Sequence, residues 1–206
     1  MPQIRFETSW GPGAVDLDIP VGPATPVALL VLGHGAGGDV DAPDLIAVRD
    51  AALLAGYVVA RVTQPYRLAG RRAPAPARQL DEAFVAAVGA VRRQDGLAAP
   101  ALIVGGRSSG ARVACRTATA VNAEAVVALA FPVHPPGRPE RSRLDELDAP
   151  TVPVLVVQGE RDPFGRPPRR RGRRVVVVPG DHALRVDPAT VGKAVVAFAR
   201  TVVARA

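Results

Sequence analysis

A series of short, nearly continuous apolar runs restricts the fold of this chain more than any other feature. Such runs are typical of parallel strands that are buried on both faces of a sheet. All are far shorter than the roughly 20 apolar residues that cross a bilayer, so we expect no membrane span. The expected strands are Val27–Leu32, Tyr57–Val62, Ala101–Val104, Ala125–Phe131, Val152–Val157 and Arg174–Val178.

Segments with a helical spacing of apolar residues separate most of these runs. The expected helices are Pro43–Ala55, Ala77–Arg93, Ala111–Ala120 and a last helix that starts at Asp187-Pro188, a capping residue followed by proline. Alternating strands and helices predict a doubly wound, mainly parallel sheet with helices on both faces. Near the N-terminus, Ile4–Thr8 and Ala14–Ile19 instead alternate apolar and polar residues, which predicts a half-exposed antiparallel hairpin.

The bulk properties indicate one globular domain over residues 1–206. The composition, 48% hydrophobic and 22% charged, is that of a folded protein. Cys115 is the single cysteine, so an internal disulfide is excluded, and the first residues lack a basic-then-apolar export pattern. We therefore expect a cytoplasmic protein.

The net charge of +7 raises the question of a nucleic-acid partner. Nearly all of the positive charge is arginine, with Lys193 as the single lysine, and the densest run, Arg166–Arg174, lies between two expected strands. No aromatic platform or known nucleic-acid motif accompanies this run. A solvated loop is therefore favoured, nucleic acid is not an expected partner, and polyanion binding by the loop stays a weaker alternative.

The stretch Gly106–Gly110 has the pattern G-x-S-x-G between an expected strand and an expected helix. In that context the pattern predicts a nucleophile elbow, in which a sharp turn projects a serine hydroxyl above the sheet. Ser109 is an alternative nucleophile, but the glycine spacing centres on Ser108. Because ligands of such sheets bind beyond the carboxyl ends of the strands, partners of Ser108 are expected at other strand ends.

Two strand ends supply those partners. Asp162 follows the fifth apolar run and His182 follows the sixth, which gives the chain order serine, aspartate, histidine. His182 would act as the general base for Ser108, and Asp162 would orient the imidazole. Glu160 and Asp181 are alternative acids, but Asp181 adjoins His182 and neighbouring side chains usually diverge.

The loop after the first buried strand, His34–Gly38, is rich in small residues that let a backbone N–H face the reacting centre. Either Gly35 or Ala36 would supply one donor of an oxyanion hole, and the sequence does not choose between them. The N–H of Ser109, the residue after the nucleophile, would supply the second donor.

Three further residues are expected near the substrate rim: His34, Arg107 and His134. His34 is expected to order its loop by hydrogen bonding rather than to act as a base. Arg107 could meet an anionic substrate group, although a structural salt bridge is favoured. The histidines show no metal-ligand spacing, so neither a metal nor an organic cofactor is expected.

Four motifs, the elbow, the H-G-A-G-G loop, the G-E-R-D-P-F-G acid loop and the G-D-H turn, together resemble the small dienelactone-hydrolase-like α/β-hydrolases. Phe131–Leu147 and Val154–Asp162 are similar to a subgroup that includes the hydrolase-like domain of a non-specific-lethal chromatin-complex subunit. The resemblance implies an α/β-hydrolase fold and a serine-hydrolase triad. No cap domain is expected, because the strands and helices use most of the chain and leave only the insertion His134–Arg143 over the site. Dienelactone hydrolases use a cysteine nucleophile, so their lactone activity is not carried over to Ser108.

These observations predict a serine hydrolase that cleaves a small carboxylic ester or thioester through an acyl-enzyme on Ser108. The expected state is a monomer or a homodimer. A protein-interaction module that keeps the fold with an idle triad is the alternative, because fold alone does not establish function.

Overall fold

The computed structural model describes residues 3–21, 26–98 and 100–204. The strands are β1 (Gln3–Phe6), β2 (Gly13–Asp18), β3 (Ala28–Gly33), β4 (Val58–Thr63), β5 (Ala101–Arg107), β6 (Ala125–Leu129), β7 (Val154–Gly159) and β8 (Arg173–Val178). They form one sheet in the order β1-β2-β4-β3-β5-β6-β7-β8. The pairs β1–β2 and β2–β4 are antiparallel, and every later pair is parallel.

The helices are α1 (Pro43–Leu54), α2 (Pro65–Leu68), α3 (Ala77–Arg92), α4 (Ser109–Thr117), α5 (Leu144–Asp148) and α6 (Pro188–Val203). Helices α1 and α6 pack over one face of the sheet, and α3, α4 and α5 cover the other, which divides the core into two apolar clusters. Within the described ranges, none of these helices is both long and apolar enough to cross a membrane.

This architecture confirms the predicted α/β class, the mainly parallel sheet and the N-terminal antiparallel hairpin. One expectation about the hairpin was wrong: β2 is buried along nearly its whole length rather than half exposed. It pairs with β4 inside the sheet, α3 covers the face with Val15 and Leu17, and Asp18 on the opposite face is buried against Arg61 of β4. The four-residue helix α2 and the five-residue helix α5 were not predicted, because such short segments carry no clear helical period.

The register of the parallel strands brings several loops to one edge of the sheet. Gly33 at the end of β3 lies opposite Gly106, and Arg107 at the end of β5 lies opposite Leu129. Gly159, which ends β7, pairs with Val178 of β8. The loops that follow β3, β5, β7 and β8 therefore meet beyond the carboxyl ends of the strands, where ligands bind in sheets of this type.

Candidate active site

Ser108 lies in the turn between β5 and α4 and has an unusual backbone conformation. Its φ of 53° and ψ of −109° fall in a region that non-glycine residues rarely adopt, at a cost of about 1–3 kcal/mol. The turn is held because the Ser108 N–H donates to the Leu129 carbonyl of the neighbouring strand at 2.9 Å. The strain is thus stabilised by the sheet, and it occurs at the residue that the sequence pattern singles out.

The two glycines of the G-x-S-x-G pattern are required by close backbone contacts. A Cβ added at Gly106 would lie 2.5 Å from the Gly33 carbonyl oxygen, and one added at Gly110 would lie 2.3 Å from the same atom. Real Cβ atoms essentially never make such contacts. The glycines therefore let β3, the turn and the first turn of α4 pack against each other around Ser108.

The three side chains expected to form a triad are in hydrogen-bond contact. The Ser108 Oγ lies 3.0 Å from His182 Nε2, and His182 Nδ1 lies 2.8 Å from Asp162 Oδ2. The Asp162 carboxylate is fully buried, whereas the His182 ring is 18% exposed. The ring of Phe164 packs against the His182 ring, with centroids 4.2 Å apart. This geometry is consistent with a catalytic triad in which the histidine faces the solvent-accessible side.

Asp162 is held by groups that the sequence analysis assigned no role. The Gln158 side-chain amide donates to Asp162 Oδ2 at 2.7 Å, and the Phe164 N–H donates to Oδ1 at 2.9 Å. At Gly159, a Cβ would lie 2.3 Å from the Asp181 carbonyl oxygen, so only glycine allows the loop before His182 to approach. The carboxylate thus has one oxygen shared between the amide of Gln158 and the imidazole and one bound by the backbone.

The rival residues lie in other contacts. Glu160 is exposed and pairs with its neighbour Arg161, and Asp181 is exposed and accepts a hydrogen bond from the Ala183 N–H at 2.9 Å. Ser109 is the first residue of α4, and the hydroxyl in contact with His182 is that of Ser108. The geometry therefore favours Asp162 and Ser108 over these alternatives.

The backbone carbonyls of Gly35 and Ala36, in the His34–Gly38 loop, accept hydrogen bonds from neighbouring groups. The Gly35 carbonyl accepts from His34 Nδ1 at 2.8 Å and from the Gly38 N–H at 3.2 Å. The Tyr66 hydroxyl donates to the Ala36 carbonyl at 2.6 Å, and burial raises the pKa of this tyrosine to about 12, which keeps it a neutral donor. These bonds fix the orientation of the peptide planes in the loop.

His34 does not lie on the rim of the site, contrary to the expectation for its position, since only 2% of the residue is exposed. Its Nδ1 donates to the Gly35 carbonyl and its Nε2 accepts from the Gln64 N–H at 3.1 Å, as expected of a residue that orders the loop. Burial lowers the pKa of His34, which favours the neutral ring that this pair of bonds requires. His134 is half-buried and packs beside Gly165 in the acid loop.

Arg107 contacts three neighbouring segments instead of projecting freely into solvent. Its Nε lies 3.2 Å from Asp44 Oδ2, and its Nη2 donates to the His182 carbonyl at 3.1 Å. A Cβ added at Gly35 would lie 2.9 Å from Arg107 Nη1, so the guanidinium also packs under the glycine loop. The favoured salt bridge is therefore present, and its acid, Asp44, is a residue that the sequence analysis did not single out.

The fold and these contacts define a class: an α/β-hydrolase fold of the serine-hydrolase type, with a serine, a histidine and an aspartate in hydrogen-bond contact at the strand ends. The chain belongs to the alpha/beta hydrolase domain family, whose model matches residues 26–186. That range includes all three of these residues. A comparison with curated proteins found no match.

Solved structures with the same fold include several esterases. Est1E from Butyrivibrio proteoclasticus with ferulic acid bound has a TM-score of 0.79 at 17% identity, covering 98% of this chain and 99% of that one. XC6422 from Xanthomonas campestris, described as an a/b serine hydrolase without lid, has a TM-score of 0.70 at 20% identity, covering 96% and 94%. A dienelactone hydrolase from Anabaena variabilis has a TM-score of 0.70 at 16% identity, covering 95% and 94%. At these identities the likeness establishes the fold.

Proposed function

We propose that this protein is a serine hydrolase that cleaves a small carboxylic ester or thioester through an acyl-enzyme on Ser108. The observation that carries the proposal is the continuous chain of contacts from Ser108 Oγ to His182 Nε2 and from His182 Nδ1 to Asp162. The strained turn at Ser108 adds support, because backbone strain of this kind clusters at functional sites.

In the first half-reaction, Ser108 Oγ attacks the carbonyl carbon of the substrate while His182 Nε2 takes the hydroxyl proton. The imidazolium then gives that proton to the departing alcohol or thiol, which leaves the acyl group on Ser108. In the second half-reaction, water attacks the acyl carbon, its proton passes through His182 to Ser108 Oγ, and the carboxylic acid leaves. Asp162 stabilises the imidazolium and keeps Nδ1 protonated throughout.

The Ala36 N–H is the better candidate for the first oxyanion donor. In a trans peptide the carbonyl and the N–H point in opposite directions. The Gly35 carbonyl is bound by His34 and Gly38, which leaves the Ala36 N–H on the other side of that plane. The His34 carbonyl faces Gly110 at the start of α4, which directs the Gly35 N–H away from the elbow. Ser109 begins α4, so its N–H has no intrahelical acceptor and would serve as the second donor.

The substrate class is proposed from the likeness of the fold to XC6422, which is described as a serine hydrolase without lid. A site that no lid covers suits small, weakly selected acyl groups. Est1E, which shares the fold, binds ferulic acid, and an aromatic acyl group of that kind is one candidate.

Several finer expectations stay predictions. The proposed chemistry needs no metal or organic cofactor. The likeness to the hydrolase-like domain of a chromatin-complex subunit, the cytoplasmic location and the monomeric or homodimeric state also stay predictions.

A fluorophosphonate probe together with p-nitrophenyl acetate tests the proposal. The wild-type protein should be labelled, with the adduct on Ser108 rather than Ser109 by peptide mass spectrometry, and it should turn over the ester. Ser108→Ala should lose both signals, whereas Ser142→Ala, an exposed serine of the insertion between β6 and α5, should keep both. A folded wild-type protein without labelling or turnover would contradict catalysis and favour the idle interaction module.

A further inference from the structure

Arg107, the residue before the proposed nucleophile, links the parts of the site that must keep a fixed geometry. It ends β5, so its backbone is continuous with the elbow. Its Nη2 binds the His182 carbonyl at 3.1 Å, and its Nη1 packs under Gly35 of the glycine loop. One guanidinium therefore contacts the loops that carry the proposed base and the proposed oxyanion donor.

Asp44 holds this guanidinium from the opposite side. Its carboxylate is completely inaccessible and lies in the first turn of α1, 3.2 Å from Arg107 Nε. The pair is not aligned as a hydrogen bond, and neither Asp44 oxygen has a well-aligned hydrogen-bond donor among the described residues. A buried carboxylate without such bonds costs stability unless a neighbouring charge compensates it. Arg107 supplies that charge, so removal of Arg107 alone should leave Asp44 without its compensating partner.

We infer that Arg107 and Asp44 form a positioning pair for the hydrolytic reaction. Arg107 fixes the His182 loop against the elbow, and Asp44 fixes Arg107 and balances its charge beside the imidazole. The inference rests on the proposed function for its kinetic consequences, but its geometric part concerns the His182 loop and is measurable without activity.

The pair also sets the electrostatic environment of the imidazole. The charged side chains that face or adjoin His182 are Asp162 after β7, Arg107 on β5, Asp44 on α1, and the exposed Asp181 and Arg185 of its own loop. Burial raises the pKa of Asp44, whereas Arg107 and, to a smaller extent, His182 lower it, so the three groups interact electrostatically. The charges of Arg107 and Asp44 act on the base in opposite directions, so removal of either partner changes the electrostatic environment of the imidazole.

Opposite single substitutions should therefore move the acid limb of the kcat/KM pH profile in opposite directions. Asp44→Asn leaves an arginine that cannot lose its proton, which disfavours the imidazolium, so the limb should move to lower pH by about half a unit. Arg107→Met removes the cation, and the negative charge that Asp44 retains favours the imidazolium, so the limb should move to higher pH, but by less, because without Arg107 burial raises the pKa of Asp44 further. The double variant should return towards the wild-type midpoint. A purely structural role would not give shifts of opposite sign.

The positioning role should appear in two further measurements. Arg107→Met should lower kcat for p-nitrophenyl acetate by about 10- to 100-fold at a nearly constant KM, because small displacements of a base cost rate rather than binding. Backbone amides of residues 180–185 should exchange hydrogen faster in this variant than in the wild type. Arg107→Lys, which keeps the charge but not the planar fork, should give an intermediate kcat and serves if the methionine variant does not fold.

Arg173→Met is the matched control, since Arg173 is also buried and ion-paired, to Asp148 at 2.7 Å, but starts β8 at the amino end of the sheet. It should leave the pH profile and the exchange of residues 180–185 unchanged. Shifts of the same sign in Asp44→Asn and Arg107→Met, or unchanged exchange in the Arg107 variants, would overturn the inference. If the wild-type protein is not labelled by the probe and does not hydrolyse the ester, the proposed function fails. The hydrogen exchange of residues 180–185 still decides whether Arg107 positions the His182 loop.

Discussion

The two ends of the parallel sheet carry similar kinds of side chain in very different arrangements. At the carboxyl end, Ser108, His182 and Asp162 converge within hydrogen-bond distance around a strained turn. At the amino end, Asp148 pairs with Arg170 and Arg173 beside a groove of about 670 Å³. Most arginines of the Arg166–Arg174 run are exposed there, as expected of a solvated loop.

This difference shows that the size of a groove does not identify the reactive end of this molecule. This groove is lined by Val154, Arg174 and Phe198 among others, and two of its arginines form ion pairs with Asp148. The carboxyl end has glycines that permit close backbone contact and polar groups that are buried in a fixed network. Such buried, convergent groups in a strained setting indicate chemistry, whereas dispersed charges indicate solubility.

Substitution of one aspartate at each end of the sheet by asparagine should give the largest difference in kcat/KM. Asp162→Asn should lower kcat/KM by about 10⁴-fold, as expected when the triad acid no longer fixes the imidazole tautomer. Asp148→Asn, which removes a carboxylate bound to two arginines at the amino end, should change kcat/KM by less than about twofold, since it is remote from the reaction. Steady-state hydrolysis of p-nitrophenyl acetate measures both. Equal losses in the two variants would remove the functional distinction between the ends.

Addition of a single methyl group at a closely packed glycine of the carboxyl end should lower the free energy of unfolding. Gly110→Ala should destabilise the protein by about 3 kcal/mol or more, because the new Cβ would meet the Gly33 carbonyl at 2.3 Å and backbone atoms cannot rotate away. Gly37→Ala is the matched control: its Cβ would meet nothing within 4 Å and its φ is not positive. Urea unfolding followed by circular dichroism gives both values. A loss below about 1 kcal/mol for Gly110→Ala would contradict the close packing of the elbow.

The sequence predicted most of the fold because its signals were local. The apolar runs for β3, β4 and β8 agree with the structure to within one residue at either end, and α1 and α3 each end one residue early. The burial of β2 was not predictable from its alternating pattern, since it depends on which strand and helices cover it. Short helices such as α5 also depend on tertiary contacts, as in the bonds of Glu146 to Arg112.

For the site, the sequence pointed to the residues that follow directly on buried strands. Ser108, Asp162 and His182 were found in this way, and the structure brings them into contact. Asp44 was missed because its partner Arg107 comes from a distant part of the chain, and Gln158 was missed because it lies inside the buried strand that precedes Asp162, where a glutamine carries no catalytic pattern of its own. The one available signal for Asp44 was a charged residue after a helix-starting proline, and that pattern is common at exposed helix ends.

Two residues with the same φ test the strain at the elbow. Ser108 and Asn122 both have φ of 53°, but Asn122 precedes β6 at the amino end, and asparagine tolerates this conformation better than serine does. Ser108→Gly should be more stable than Ser108→Ala by about 1 kcal/mol, since glycine relieves the strain. Asn122→Gly should change stability by less than about 0.5 kcal/mol relative to wild type. Differential unfolding in urea measures the values, and equal stabilities of Ser108→Gly and Ser108→Ala would show that the turn is unstrained.

A further expected effect is a pH dependence of stability that arises from His34 in the glycine loop. Because burial lowers the pKa of His34, the unfolded chain takes up a proton below about pH 6.5 more readily than the folded protein does. The stability due to neutral His34 is therefore complete above that pH and falls as the pH decreases towards the lowered value.

His34→Gln keeps an acceptor for the Gln64 N–H and has no group that titrates in this range. The wild type should lose stability relative to His34→Gln between pH 6.5 and 5, by at most about 2 kcal/mol, since one proton changes stability by about 1.4 kcal/mol per pH unit. Urea unfolding of both proteins at several pH values measures this difference. The exposed titrating groups at the amino end are common to both proteins, so their contributions cancel in the comparison. Parallel curves of stability against pH for the two proteins, or a gain of stability by the wild type on acidification, would contradict this prediction. His34 would then not be the neutral imidazole that its two hydrogen bonds indicate.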